Sequence, residues 1–247
     1  MLAAYDTIGR QYRGNRNSDP RIAAALNRNI GRAHRIVNIG AGTGSYEPTE
    51  RDVVAVEPSV VMIAQRRKDA SPVIQARAEQ LPFRDGSFNL AMAILTIHHW
   101  SDQAKGLEEA VRVANGRVML LTWIGFPQGF WLTDYFPEIE EKDTRMFPSI
   151  DKISGYLGPV NVEVLSIPHD CTDGFLCAYW RRPEAYLDPG VRGGISTFSR
   201  ITQLQYPLEK LAADLKSGEW ERRYSGLLTK ESIDCGYRII TSGSAAA

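Results

Sequence analysis

The chain of 247 residues is long enough for one sizeable α/β domain with insertions and short for two independent domains. Its 29 basic residues balance its 29 acidic residues, so no overall field draws it to nucleic acid or an anionic membrane. The N-terminus meets polar residues too early for a signal peptide, and no apolar run approaches membrane-spanning length. With three cysteines and no C-x-x-C motif, we expect a cytoplasmic protein with reduced thiols.

Residues 1–33 carry a broken helical pattern. Pro20 is a typical first residue of a helix and Gly31 a typical stop, which predicts an alanine-rich helix between them. We predict that residues 1–33 form a helical cap, which either only packs on the domain or covers the charged end of a cofactor. Tyr12 and Arg16 are candidate substrate-pocket residues in this cap.

The next element is a strand, Arg35–Ile39, that breaks into the alternating glycines Gly40, Gly42 and Gly44. In the dinucleotide fingerprint G-x-G-x-x-G the third glycine comes one residue later. Pro48 also limits any following helix to a turn or two. The spacing therefore favours a ligand that is held through adenosine and an amino-acid tail rather than through a pyrophosphate.

The second predicted strand, 53–56, ends in Glu57 and Pro58. Four apolar residues precede this glutamate, which argues against an ordinary surface charge. A carboxylate at the end of the second strand can accept hydrogen bonds from both hydroxyl groups of a ribose. Ser59 is a predicted N-cap of the helix that follows.

Two further predicted strands, 72–75 and 88–95, also lead to polar or unusual connections. Ala78 and Glu79 follow the first of them and precede a Leu-Pro-Phe turn. In an open α/β sheet the carboxyl ends of parallel strands face one crevice at the topological switch point. We therefore expect the glycines, Glu57 and the Ala78-Glu79 pair to meet there.

These segments, in this order, resemble the class I S-adenosylmethionine-dependent methyltransferases, in particular the small-molecule, methyltransferase type 11-like group with an AExLPF element. The resemblance runs from about Arg35 to Trp123, roughly a third of the chain. It implies a Rossmann-like, doubly wound α/β sheet that is mostly parallel with an antiparallel last strand and a helical insertion before it. It also implies S-adenosyl-L-methionine as the cofactor.

The resemblance assigns each part of the cofactor to its own residues. They are Gly40, Ala41 and Gly42 for the methionine and ribose portion, Glu57 and Pro58 for the ribose hydroxyls, Ala78 and Glu79 for adenine, and backbone near Leu95 for the methionine amino group. The chain departs from the pattern at Arg77, where many relatives have an aspartate, and at Pro48, which shortens the first crossover.

The rest of the chain is less regular. After a fifth strand at 117–123, residues 125–148 are rich in aromatic side chains, and residues 168–234 read as a helical insertion before a last strand at 235–240. We predict a single domain, 1–247, in which 125–148 and 168–234 are insertions that form a lid over the substrate.

His98 and His99 follow the fourth strand and are the candidate general bases. An imidazole pKa near 6.5 suits removal of a proton from a hydroxyl or an amine. Two histidines beside a tryptophan can also be packed, hydrogen-bonded side chains without a catalytic role. We prefer this structural interpretation to the catalytic one.

Four tryptophans could line an acceptor pocket or belong to the core, and the sequence leaves both readings open. They are Trp100, Trp123, Trp131 and Trp180. Asp170 and Asp173 flank Cys171, which gives fewer ligands than a metal site needs, so we predict no metal.

The predicted function is methyl transfer to a small organic acceptor by in-line displacement. A sulfonium already activates the methyl carbon, so alignment and exclusion of water supply much of the rate, and no protein nucleophile is needed. One alternative is a nucleic-acid (RNA) methyltransferase, which the neutral overall charge disfavours. Another is a non-catalytic S-adenosylmethionine-binding module.

Overall fold

Apolar runs in the first half of the chain become neighbouring parallel strands in the computed structural model, which describes residues 16–243. These strands are β1 (Arg35–Ile39), β2 (Asp52–Val56), β3 (Val73–Ile74), β4 (Leu90–Ile94) and β5 (Val118–Trp123). The second half adds β6 (Val160–Val164), β7 (Ile167–Pro168), β8 (Ser232–Ile233) and β9 (Tyr237–Ser242). Each of the five strands predicted before residue 125 is present, with shifts of at most two residues at an end.

The main sheet has seven strands in the order β3-β2-β1-β4-β5-β9-β6. β9 runs antiparallel to both of its neighbours, and the pairs among β1 to β5 are all parallel. β7 and β8 form a separate two-stranded antiparallel sheet. The predicted doubly wound sheet with an antiparallel last strand is confirmed.

Helices fill the connections. They are α1 (Pro20–Ile30), α2 (Val60–Ala64), α3 (Gln103–Val113), α4 (Glu138–Met146), α5 (Ile150–Leu157), α6 (Pro189–Gly193), α7 (Gln205–Ser217), α8 (Glu219–Arg223) and α9 (Ser225–Leu228). Short 3-10 turns lie at Ile97–His99, Trp131–Asp134, Leu176–Tyr179, Pro183–Leu187 and Ser196–Arg200. The helical insertion before the last strand is thereby confirmed. Within residues 16–243, none of the helices has the length and apolar character to cross a membrane.

Polar side chains start several of these helices. Asp19 accepts a hydrogen bond from the amide of Arg21 at the start of α1, and Asp102 accepts one from the amide of Lys105 in α3. The side chain of Ser59 accepts one from Met62, as predicted for an N-cap. These caps fix the places where the chain leaves the sheet edge and turns into helix.

Alternation along the central strands divides the core into two layers. Leu90 and Met92 of β4 face a layer that contains α1 and most of the aromatic residues after β5. Ala91 and Ala93 face the opposite layer, with α3 and α5. Because both faces are covered, the two ends of the strands are where a ligand can reach the sheet.

The first crossover contains no helix within the described residues 40–51, which lies within the limit of a turn or two that Pro48 sets. A nearly buried ion pair holds this loop instead, with Nη2 of Arg66 at 2.8 Å from Oε2 of Glu47 and side-chain exposures of 4% and 6%. Nδ2 of Asn38 donates to Glu47 at 3.0 Å, and Nη1 of Arg66 donates to the carbonyl of Gly42 at 3.2 Å. The loop that contains Pro48 is therefore held by the side chains of Glu47, Arg66 and Asn38 and not by a crossover helix.

We predict that Glu47→Gln destabilises the protein strongly, because it leaves the Arg66 guanidinium buried without a carboxylate. The expected loss in the free energy of unfolding, from urea titration, is about 3–5 kcal/mol. Asp69→Asn is the matched control. The carboxylate of Asp69 lies 2.7 Å from the Arg67 guanidinium, but the two side chains are 68% and 70% exposed, so this ion pair contributes little to stability. Equal unfolding free energies for the two variants would contradict a structural role for the buried pair.

Candidate functional site

A cleft of about 240 Å³ lies where the carboxyl ends of the parallel strands meet. The register places Ile39 beside Val56 and Val56 beside Ile74, so the residues after β1, β2 and β3 share one edge. All eight predicted cofactor-binding residues line this cleft: Gly40, Ala41, Gly42, Glu57, Pro58, Ala78, Glu79 and Leu95. Sequence order alone had separated them into four segments.

The glycine loop is held against the second strand. The amides of Gly40 and Ala41 both donate to the carbonyl of Val56, at 2.8 and 3.0 Å. Gly40 has a φ of +69°, and a Cβ atom there would lie 2.1 Å from Oγ1 of Thr96. Only glycine fits this position, which brings bare main chain to the wall of the cleft.

Glu57 is 5% exposed and fixed by two backbone amides. Its Oε2 accepts a hydrogen bond from Gly42 at 2.8 Å, and its Oε1 accepts one from Ser59 at 2.9 Å. A carboxylate offers about four lone-pair sites, so these two bonds orient the group within its acceptor capacity. The sequence predicts the carboxylate in the cleft, but it does not predict that the carboxylate also clamps the glycine loop.

Glu79 joins the cleft to the start of α3. Its Oε1 accepts hydrogen bonds from the amide and hydroxyl of Ser101, both at 2.7 Å, and from the amide of Asp102 at 3.1 Å. Burial opposes ionisation, but these hydrogen bonds outweigh it and lower the pKa of Glu79. Trp100 and Arg77 lie beside it in the lining of the cleft.

Leu95 has an unusual backbone for a leucine, with a φ of +50°. Its amide donates to the carbonyl of Leu121 at 2.8 Å, so its carbonyl oxygen is the main-chain group it can offer a ligand. Non-glycine residues in the left-handed region are strained and cluster at ligand sites. This conformation follows β4 directly, where the chain must turn away from the sheet.

Asp173, from the insertion, ties three distant segments together at one wall of the cleft. Nε of Arg16 donates to its Oδ1 at 2.6 Å, and the hydroxyl of Tyr46 donates to its Oδ2 at 2.8 Å. The amide of Asp19 donates to the Tyr46 oxygen at 3.2 Å. The side chains of Arg16 and Asp173 are 8% and 0% exposed, so this is a buried ion pair. No pattern in the sequence predicts the roles of Tyr46 and Asp173.

A second, narrower cavity of about 50 Å³ adjoins the cleft and shares Arg16 and Leu95 with it. The remaining lining residues are mostly aromatic or small: His98, Trp123, Asp143, Phe147, Phe175, Leu176, Gly194, Ile195, Ser196, Thr197 and Tyr237. The cavity therefore lies between the sheet edge, α4 and the insertion. His98 faces this cavity and His99 faces the cleft.

The two histidine rings are tilted by 46° relative to each other, with ring centroids 3.8 Å apart, and His98 stacks on Phe147 at 4.0 Å. Burial lowers the pKa of His99 to about 4, and the positive charge of Arg200 adds to the effect. Burial lowers the pKa of His98 well below its ordinary value as well. Both rings are therefore neutral at pH 7.

The tryptophans separate into two groups. Trp100 lines the cleft and Trp123 lines the second cavity. Trp131 and Trp180, for which the sequence left both a pocket wall and the core open, line neither of these two spaces among the described residues. They lie in the core, where Trp131 Nε1 donates to the carbonyl of Trp180 at 2.8 Å and Trp180 Nε1 donates to Ile167 at 3.0 Å. Both side chains have a large apolar surface, and each indole N–H has a carbonyl acceptor, so both can be buried without an unpaired donor.

Tyr12, the remaining substrate-pocket candidate, lies outside the described residues. The three cysteines, Cys171, Cys177 and Cys235, are buried free thiols. In the described part of the chain, no group of three or more His, Cys, Asp or Glu residues is placed to hold a metal ion.

Comparison with known proteins yields methyltransferases. A family model of a methyltransferase domain matches residues 37–120. A solved structure from Anabaena variabilis, assigned as a methyltransferase of an antibiotic biosynthesis pathway, is 36% identical with a TM-score of 0.83. The match covers 93% of this chain and 99% of that one.

Two further relatives are more distant. The uncharacterized methyltransferase YcgJ of Bacillus subtilis is 32% identical over 101 residues, which cover 36% of this chain and only 40% of that protein. A phosphoethanolamine N-methyltransferase 2 of Haemonchus contortus, solved with phosphomonomethylethanolamine and S-adenosylhomocysteine, is 16% identical with a TM-score of 0.55. That match covers 96% of this chain and 57% of that one, and it supports the fold alone.

We predict that His99 makes the stability fall as the solution becomes acidic. Its pKa is lower in the folded chain, so below the ordinary value of 6.5 the unfolded chain takes up the proton first, and stability is lost as the pH falls towards 4. Between pH 7 and pH 5 the loss from this group is on the order of 2 kcal/mol, which His99→Gln should abolish in urea titrations. His34→Gln, an exposed control, should keep the wild-type pH dependence. The same pH dependence in His99→Gln as in the wild type would refute the prediction.

Proposed function

Because the chain belongs to the class I S-adenosylmethionine-dependent methyltransferases, we propose that it transfers the methyl group of S-adenosylmethionine to a small organic acceptor. The observation that carries the proposal is the convergence of the glycine loop, Glu57 and the Ala78-Glu79 pair on one cleft. Each of these signals is weak alone, but a shared cleft at the carboxyl edge of the sheet is where α/β folds bind ligands.

The residues present fit the cofactor. Gly40 must be glycine because a Cβ atom there would collide with Thr96, so bare main chain lines the cleft at this point, and the methionine and ribose portion would lie against it. Glu57 would accept from the ribose hydroxyls, and Glu79 with its neighbours Ala78 and Trp100 would border adenine. The carbonyl of Leu95 would accept from the methionine amino group.

The chemistry asks the protein mainly for alignment. The bound cofactor would supply a methyl carbon already activated by its sulfonium, so no nucleophilic side chain is required. The chain's own residues would orient the two partners and exclude water. In this proposal residues 1–33 cap the cofactor, with Arg16 near its carboxylate, and residues 125–148 and 168–234 form the lid over the acceptor.

Three observations support a small acceptor rather than a nucleic acid. The second cavity is narrow and enclosed by aromatic side chains. The overall charge is balanced, whereas nucleic-acid enzymes usually carry a basic surface. The Anabaena relative is assigned to an antibiotic biosynthesis pathway, whose products are small molecules.

We predict that Glu57→Gln weakens binding of S-adenosylhomocysteine, measured by calorimetry. Hydrogen bonds to a charged group are worth roughly 1.5–3 kcal/mol, which corresponds to a Kd raised about 10- to 100-fold. Glu50→Gln, which changes an exposed acid in the loop before β2, should bind like the wild type. Unaltered affinity in Glu57→Gln would remove the main support for the proposed function.

The glutamate also holds Gly42, so a second ligand separates direct contact from a loop effect. The 2′-deoxy analogue of S-adenosylhomocysteine should bind more weakly than the parent to the wild type. In Glu57→Gln the analogue should lose less affinity relative to the parent than it does in the wild type, because the partner of the hydroxyl is then a neutral amide and not a carboxylate. If the 2′-deoxy analogue loses as much affinity relative to its parent in Glu57→Gln as in the wild type, then Glu57 acts on binding by holding the glycine loop and not by contact with the hydroxyl.

A further inference from the structure

We infer that the methyl acceptor is a planar ring compound with an acidic hydroxyl group, a phenol or an enol, which binds as its oxyanion in the second cavity. This inference rests on the proposed function, since it names the substrate class of that same site. It is drawn from the position of the cavity, its walls, its polar groups and its charges.

The second cavity is in the right place for an acceptor. It shares Arg16 and Leu95 with the cofactor cleft, so a molecule inside it borders the methionine end of that cleft. Methyl transfer requires the attacking atom and the methyl carbon to come within van der Waals distance. The adenine end, at Glu79, lies on the other side of the cleft and lines no part of the second cavity formed by the described residues.

The walls favour a flat ring. Trp123 meets Phe147 edge to face at 5.4 Å, and Phe175 meets Tyr237 in the same way at 4.9 Å. The Trp123 indole N–H is already bound to the carbonyl of Cys235 at 2.8 Å, so this side chain offers its ring to a ligand. Aromatic side chains arranged edge to face in this way accommodate another ring by stacking or by edge contact.

One polar group of the cavity stands out as a ligand contact. Asp143 is engaged on both oxygens, by the Thr197 hydroxyl at 2.9 Å and by the Arg200 guanidinium. The Nδ1 atom of His98 is buried and has no hydrogen-bond partner among residues 16–243. Since the His98 ring is neutral, it carries one N–H donor and one acceptor nitrogen, and a donor of this kind can bind an oxyanion.

The charges near His98 favour an anion over an ammonium ion. Burial is the main cause of its lowered pKa, and His99 and the guanidinium groups of Arg200 and Arg16 lower it further. The same positive potential that resists protonation of the ring opposes a cationic amine and attracts an oxyanion. His98 also lines a more open surface pocket, whose charged lining residues are Asp102, Arg145 and Lys152, with one more positive than negative charge.

The transfer step then balances without a strong base. An oxygen lone pair of the bound oxyanion forms a bond to the methyl carbon while the carbon–sulfur bond breaks and its electron pair stays on sulfur. A sulfonium and an oxyanion give a neutral thioether and a neutral methyl ether. The hydroxyl proton has already left to solvent on binding, so a histidine with a depressed pKa has no proton to remove.

The test uses 4-nitrophenol, whose phenolate absorbs visible light and whose neutral form does not. We expect the full-length protein with saturating S-adenosylhomocysteine to bind the phenolate about tenfold more tightly than the phenol, since one hydrogen bond to a charged group is worth about that ratio. The bound dye should therefore ionise about one pH unit lower than the free dye. His98→Phe should reduce the preference to less than threefold, and His34→Gln should leave it unchanged.

Calorimetry on the same samples distinguishes failure of the proposed function from failure of the inference about the acceptor. Loss of S-adenosylhomocysteine binding by the wild type would defeat the proposed function itself. If the wild type binds S-adenosylhomocysteine but shows no preference for the phenolate, only the inference about the acceptor is overturned. The same holds if His98→Phe keeps the full preference.

A transfer assay with a labelled methyl donor identifies the source of the oxyanion. The acceptors are 4-nitrophenol, the enol of 1,3-cyclohexanedione and benzylamine as an amine of similar size. Transfer to the phenol or to the enol supports the inference and tells the two classes apart. Transfer to benzylamine alone, or to none of the three, overturns it.

Discussion

The parallel register at the carboxyl edge of the sheet is the constraint on which the candidate site depends. It sets the end of β1 beside the end of β2, where the amides of Gly40 and Ala41 bind the carbonyl of Val56. Glu57 follows that carbonyl by one residue and reaches back to the amide of Gly42. The loop and the carboxylate therefore shape each other, and shifting either strand by one residue would separate them.

Much of the fold could be predicted because its signals are local. Buried parallel strands are short apolar runs, and the caps at Ser59 and Asp102 are single residues with one side-chain bond each. The cleft was equally accessible to prediction, since the topology of an open α/β sheet alone brings the strand ends together.

The parts that sequence could not supply depend on contacts between distant segments. Trp131 and Trp180 had the composition of a pocket wall, but both pack in the core, where the Trp131 indole donates to the carbonyl of Trp180 and the Trp180 indole donates to the carbonyl of Ile167. Pro48 set an upper limit of a turn or two of helix in the first crossover, but the sequence did not predict that a buried Glu47–Arg66 pair would hold this loop. No periodic pattern encodes a bond between side chains far apart in the chain.

The bond between Arg16 and Asp173 has a consequence for biosynthesis, because 157 positions separate the two residues. A ribosome makes the strands that form the floor of the cleft well before it makes Asp173. The wall that joins the N-terminal segment to the insertion can close only after Asp173 has left the exit tunnel. The growing chain therefore passes through a stage in which the N-terminal segment is not yet joined to the insertion at this wall of the cleft.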